Sequence, residues 1–270
     1  MLSFWPSDAV LLTVQALCVL LPAAGLPAWA ARRAGRAWAL IPPLSLVLVI
    51  AAIAVLPGVA DGLTWLALLA CPPLAAAALG WAMRGAWPPL ALLAAPLLAL
   101  AWTEQGTLLG DGCAAVITAL SCVTLGRLIA GVTPLTWLKV AIVAMAVIDA
   151  YLVFSRKLEQ PNATLNAAAP APGLPQLQSA SFGNAVIGYG DFFVAGVFGA
   201  IVAREGAPNW AAAGLTFGCC FLFDLLFLTT DTLPATVPVA VALLLYEAAR
   251  PRGAEGVATS SAAASPPGPR

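Results

Sequence analysis

Nine predominantly apolar stretches, each near bilayer-crossing length, recur along the chain at about residues 9–31, 38–60, 63–83, 86–103, 112–132, 135–155, 181–203, 210–230 and 233–249. A spanning helix needs about 20 such residues. In hydrocarbon every backbone N–H and C=O must be satisfied within the protein, which favours helices for spans of this kind. The expected fold is therefore an all-α multi-pass membrane protein with about nine transmembrane helices. The charge content agrees, because only 9% of the 270 residues are charged, against about 25% in soluble domains.

The sequence "AWA" at 28–30 resembles a signal-peptide cleavage site. However, no Lys or Arg precedes the first apolar stretch, and Arg32, Arg33 and Arg36 follow it, which fits a retained helix. With the N-terminus outside, alternation through nine helices puts ten of the twelve basic residues on the inner side. These are Arg32, Arg33, Arg36, Arg84, Arg127, Lys139, Arg204, Arg250, Arg252 and Arg270, leaving Arg156 and Lys157 outside. That bias is the positive-inside pattern. It predicts a cell-membrane protein with an outer N-terminus and a cytoplasmic C-terminus.

Two segments depart from the apolar pattern. Residues 156–180 form a Pro-, Ala- and Asn-rich connection, expected to be irregular or extended. Its "NAT" at 162–164 matches a glycosylation sequon, a weak signal by itself. Residues 250–270 read as a disordered tail. The expected division is a scaffold of helices one to five over 1–134, a functional unit of helices six to nine over 135–249, and the tail. No internal repeat suggests an inverted-repeat transporter.

The chain has no histidine. That excludes Ser-His nucleophiles, HExxH zinc helices and His-ligated metals. Cys18, Cys71, Cys113, Cys122, Cys219 and Cys220 fall in or beside apolar runs without a CxxC pair, and read as small buried hydrophobes. No basic cluster fits a nucleic-acid surface. No metal or organic cofactor is implied. Chemistry must come from carboxylates, hydroxyls, thiols or backbone groups.

Three aspartates lie inside apolar stretches: Asp149 in "AMAVIDAYLVF", Asp191 in "IGYGDFF" and Asp224 in "CCFLFDLLFL". A mid-membrane Asp costs roughly 2.5–3.5 kcal/mol on insertion scales, so each calls for a role. Asp149 is expected about five residues from the outer end of helix six, roughly 8 Å. Asp191 is expected about ten residues inside helix seven, roughly 15 Å. The two helices run antiparallel, which allows the carboxyls to meet. Such a pair shares one proton and supplies a base and an acid at the same pH. The base activates water and the acid protonates the tetrahedral species. Gly188 and Gly190 permit close backbone approach beside Asp191.

"IDAYLVF", then Gly188-Tyr189-Gly190-Asp191, then Pro234-Ala235-Thr236 in "LPATVPV" resembles the presenilin and signal peptide peptidase group of intramembrane aspartyl proteases. Their signatures are Tyr-Asp, Gly-x-Gly-Asp and Pro-Ala-Leu in helices six, seven and nine. The likeness extends over about residues 137–245, and the expected orientation matches signal peptide peptidase. It implies Asp149 and Asp191 as a catalytic dyad. Gly188, Tyr189, Gly190, Pro234, Ala235 and Thr236 then support the site or bind substrate. The implied substrates are transmembrane segments or signal-peptide remnants within the lipid bilayer. Ile148 stands where the family has Tyr, and Thr236 where it has Leu.

Pro234 lacks an N–H and pushes its predecessor towards extended backbone. Such backbone is tolerated at membrane depth where it lines a cavity, and it can pair with an unwound substrate. Residues 173–178, "GLPQLQ", are a candidate second strand. Asp224 reads as a structural hydrogen-bonding residue, with tuning of the dyad or proton conduction as the alternatives. Asp231 reads as a cap or interface residue. Tyr151 and Tyr189 read as packing aromatics, and the nine tryptophans as interfacial anchors. Two other functions stay open: a type IV prepilin-peptidase-like membrane aspartyl protease, and a proton-coupled transporter. The basic residue that usually follows the prepilin-peptidase aspartate is absent, since Phe192, Phe193 and Val194 follow Asp191.

Overall fold

The computed structural model describes residues 4–25, 34–56, 58–228 and 233–250. Among these are ten α-helices and one β-hairpin. They are α1 (Phe4–Leu20), α2 (Ile41–Val55), α3 (Val59–Ala77), α4 (Ala94–Thr103), α5 (Leu108–Val132), α6 (Leu135–Phe154) and α7 (Glu159–Ala167). Then come β1 (Ser179–Phe182), β2 (Ala185–Gly188), α8 (Tyr189–Arg204), α9 (Asn209–Asp224) and α10 (Thr236–Ala249). Short 3-10 turns precede α2 and α4 and follow α9, and a π turn (Ala78–Ala82) extends α3.

The protein is thus a helical membrane protein, but its helices are shorter than nine full spans require. Five among the described residues are long and apolar enough to cross: Arg36–Val55, Val59–Ala82, Leu108–Val132, Leu135–Phe154 and Asn209–Leu228. Each of the other four apolar stretches contains one shorter helix, and the causes are local. Pro22 stands two residues beyond the end of α1, and Pro88 and Pro89 open the 3-10 turn before α4. α10 begins only after Pro234, with 14 residues. α8 has 16 residues because 181–188, expected as helix, is strand.

"SASFGNAVIG" folds back on itself around Gly183-Asn184, pairing Ser179 with Gly188 and Phe182 with Ala185. Gly183 sits at φ +59, the left-handed region that a two-residue hairpin turn requires. The strand expected at 173–178 therefore lies one step further along the chain. The connection 156–180 is also more ordered than its composition suggests, because Glu159–Ala167 forms α7. Glu159 occupies its first turn, where negative charge complements the helix dipole. Pro161 sits in that same turn, where the missing N–H is harmless.

α8 is the central helix. Eleven of its residues, Phe192 and Val194–Ala203, are buried, and a helix apolar all round belongs in the middle of a bundle. Two glycines let its neighbours approach. A Cβ on Gly196 would come within 2.6 Å of the Cys122 carbonyl on α5, and one on Gly199 within 2.3 Å of the Val19 carbonyl on α1. Gly126 faces Gly196 from α5, where a Cβ would stand 2.4 Å from backbone. This is small-residue packing of membrane helices. Large apolar side chains on α2, α3 and α4, including Leu48, Leu69 and Leu100, are exposed, as the lipid-facing side of such a bundle would be. Eight tryptophans are also exposed; Trp29 lies outside the described residues, as do Asp231 and the tail from 251.

Gly214 and Gly218 on α9 have open space where a Cβ would go. Gly126→Ala and Gly196→Ala should each lower the thermal unfolding midpoint in detergent, by a cost of about 1–3 kcal/mol for overpacking. Gly214→Ala and Gly218→Ala should leave it unchanged or raise it, by up to about 1 kcal/mol of helix propensity.

Candidate functional site: a carboxyl-lined cavity

A cavity of about 790 Å³ opens between α1, α2, α3, α6, the hairpin, α8, α9 and the start of α10. That volume falls within the usual range for ligand sites. Its wall is mainly aliphatic, from residues such as Leu12, Ile53, Leu63 and Leu74, and it carries four carboxyls: Asp8, Asp149, Asp191 and Asp224. No Lys or Arg is among the described residues that line it.

Asp149 points inward from α6, five residues before the helix ends, and is buried. Its Oδ2 accepts two hydrogen bonds from Thr236, one from the hydroxyl at 2.7 Å and one from the backbone N–H at 3.3 Å. Thr236 is the first residue of α10, and the N–H groups of a helix's first turn have no intrahelical acceptor. Asp149 therefore caps α10 from another helix, with the favourable charge for a helix N-terminus. Thr236, which departs from the family motif, uses its hydroxyl for this contact. Ala235 occupies the cap position and lines the cavity, and Pro234 is buried behind it, its carbonyl accepting from the Val237 N–H at 3.2 Å.

Asp191 was expected some ten residues inside a helix. The structure instead places it in the first turn of α8, directly after the hairpin. The alternating sequence 179–188 takes the strand, so the helix starts only at Tyr189. Gly188 is the extended cap residue, at φ −69 and ψ 152. A Cβ there would meet the Asp191 Oδ2 at 3.1 Å, so the glycine leaves room for the carboxyl to turn back towards the strand. Gly190 has open space around it. Asp149 and Asp191 thus come from two helices to one cavity, near enough to interact electrostatically.

Tyr189 lines the cavity, but its hydroxyl pairs with Ser121 on α5 at 3.0 Å rather than with a carboxylate. Tyr151 is exposed and its hydroxyl accepts from Lys157. Asn162 of the sequon lines the cavity from α7, and Gln178 bonds the Leu165 and Ala168 carbonyls at the end of that helix. Asp224 faces the cavity at the end of α9, close to the Asp8 carboxyl on α1. Asp8 lies outside the apolar stretch that begins at residue 9, and sequence reading left it at the membrane edge. A usable signal exists, however. Asp8 and Gln15 are seven residues apart on one helix and share a face.

Five of the described cations gather at the other end of the bundle, whereas Arg156 and Lys157 follow the end of α6 nearer Asp149. Lys139 and Arg250 pair with Glu205 and Glu247, joining the ends of α6, α8 and α10. Arg84 donates to Asn209 Oδ1 and the Pro22 carbonyl, Arg127 to the Gly25 and Trp81 carbonyls, and Arg204 to those of Ala130 and Thr133. From Lys139 to Asp149 is ten residues of helix, roughly 15 Å.

Five of the six cysteines are buried and all six are free. Among the described residues no three His, Cys, Asp or Glu side chains are placed to hold a metal ion. No protein-family model matches the chain, and no curated protein or solved structure is significantly similar to it.

Thr236→Val removes one donor from a buried carboxylate and should cost about 1–3 kcal/mol, whereas Thr236→Ser should retain most of the stability. A double-mutant cycle with Asp149→Asn in thermal unfolding should give a coupling of at least about 0.5 kcal/mol. Additive costs would show that the contact has no energetic role.

Proposed function

We propose that the protein is an intramembrane aspartyl endopeptidase of the presenilin and signal peptide peptidase type, with Asp149 and Asp191 as its dyad. The observation that carries the reading is that these two carboxyls, from separate helices, line one cavity beside extended backbone, with no Lys or Arg among its described lining residues. Two carboxyls in such a setting hold one proton between them. The ionised member takes a proton from water as its oxygen attacks the scissile carbonyl. The protonated member gives its proton to the tetrahedral species, and the amine leaves. No cofactor enters these steps.

A peptide bond inside a membrane helix is shielded by its own turn, so the substrate has to unwind before attack. Strand β2 runs directly into the first turn that holds Asp191, and Val186 is exposed while Ile187 and Gly188 line the cavity. An extended substrate laid along this backbone would exchange main-chain hydrogen bonds with it, close to the dyad. Gly188, Tyr189, Gly190, Pro234, Ala235 and Thr236 act here as support for the carboxyls and as backbone beside the substrate.

The gathering of Arg84, Arg127, Lys139, Arg204 and Arg250 at one end favours that end as cytoplasmic. The N-terminus is then outside, and the carboxyl cavity lies in the outer half of the bundle. Substrates are transmembrane segments or signal-peptide remnants whose N-terminus faces the cytoplasm. A proton-coupled transporter is the second reading, favoured by four carboxyls sharing one cavity.

Purified protein in a bilayer should cut a fluorescent transmembrane peptide. Asp149→Asn and Asp191→Asn should each abolish cleavage, by at least about 10³-fold, without loss of fold. Persistent cleavage in either variant would refute the dyad. Proton flux that depends on the same residues, with no cleavage by the unaltered protein, would establish the transporter instead. The same segment inserted in both directions tests orientation, and equal cutting of both would refute the stated preference.

A further inference from the structure

The proposed chemistry uses two of the cavity's four carboxyls. The other two lie close together: Asp8 on α1 and Asp224 on α9 line the same cavity, near enough for their carboxyls to share a hydrogen bond. Two carboxyls can share such a bond only if one of them carries a proton. Asp8 is 5% exposed, and no N–H or hydroxyl among the described residues donates to its Oδ2. Gln15, 2% exposed and two turns further along α1, also lines the cavity, and its Nε2 donor has no partner. A buried amide donor left open beside the carboxyls points to polar contents in the cavity, water or an unwound peptide backbone.

The charge balance gives the pair its consequence. The titratable groups facing the cavity are Asp8 on α1, Cys71 on α3, Asp149 on α6, Tyr189 and Asp191 on α8, and Cys220 and Asp224 on α9. With no cation among the described lining residues, protons are the means of limiting negative charge there. Asp224 is the member of the second pair whose field reaches Asp191.

We propose that Asp8 and Asp224 form a second carboxyl pair that holds one proton and, through the position of its remaining negative charge, sets the pH range over which the dyad works. They are positioning residues, acting on Asp191 through the cavity and not on the substrate carbonyl. The proposal rests on the reading of Asp149 and Asp191 as the reacting pair.

The isosteric variants separate this role from a structural one, because asparagine preserves a hydrogen bond with the remaining carboxylate. Asp8→Asn leaves the negative charge wholly on Asp224, nearer Asp191, so the alkaline limb of the kcat–pH profile should move to higher pH. Asp224→Asn leaves it on Asp8, and the limb should move to lower pH. Each displacement should be between several tenths and about one pH unit, the size expected for one relocated charge at an effective dielectric near 20. Unchanged profiles, or profiles moving the same way, would overturn the proposal while cleavage by the unaltered protein keeps the protease reading intact.

A second readout needs no cleavage. In the Asp149→Asn/Asp191→Asn protein at neutral pH, the infrared carbonyl band of a neutral carboxyl should remain, and adding Asp8→Asn should remove it. Absence of that band before Asp8 is changed would overturn the shared proton, whatever the protein cuts.

Discussion

The candidate site depends on the backbone-to-backbone approach of α8 to α5 and α1. Gly196 and Gly199 give that helix two smooth faces, so its axis sits where a helix with larger side chains could not. Apolar burial alone would not achieve this, because lipid tails are as apolar as leucine and do not drive helices together. Close packing does, and it fixes where the first turn of α8 emerges. Asp191 is in that turn. Its position is therefore set by contacts one to two turns away along α8, at residues with no polar chemistry of their own.

Polar groups sort to two ends of the bundle for different physical reasons. At one end, Arg84, Arg127 and Arg204 donate to carbonyls at or just beyond the C-terminal ends of α1, α3 and α5. Those carbonyls have no intrahelical donor, and the helix dipoles favour cations there. The residues counted for membrane orientation are thus also the caps that close the helices. At the other end the order reverses. Asp149 meets the N-terminal N–H of α10, and Asp191 lies in the first turn of α8. Carboxyls at the starts of α8 and α10, and arginines beyond the ends of α1, α3 and α5, each complement the dipole of the helix end they meet.

Most of the helical stretches, and the aspartates set among apolar residues, were legible in the sequence because both signals are local. Twenty apolar residues, or an Asp among them, stand out against a lipid-like background. The hairpin was harder to see. "SASFGNAVIG" is apolar enough to read as the start of a helix, and its period-two alternation is only eight residues long. The Gly-Asn turn decides it, through a φ that L side chains rarely adopt. The depth expected for Asp191 failed for the same reason, since it was measured from a helix end that is not there. Asp8 was missed because a carboxyl just before an apolar stretch looks solvated. Only the approach of α9 to α1 places it opposite Asp224.

Thr236 shows how one hydroxyl can add to a backbone contact with a buried carboxyl. A leucine there would offer Asp149 only its backbone N–H, whereas threonine adds a hydroxyl to the same oxygen. A carboxyl oxygen held by two donors has a defined orientation, which leaves its other oxygen to face the cavity. That geometry suits a residue that must keep one lone pair available to water while its charge is stabilised from behind. It also ties the start of α10 to α6, so the Pro234-Ala235 turn before Thr236 cannot drift from the cavity without breaking both bonds. In the proposed enzyme, the helix that carries one carboxyl and the backbone beside the substrate would then move together, and the reacting atoms would keep their spacing as an unwound segment enters.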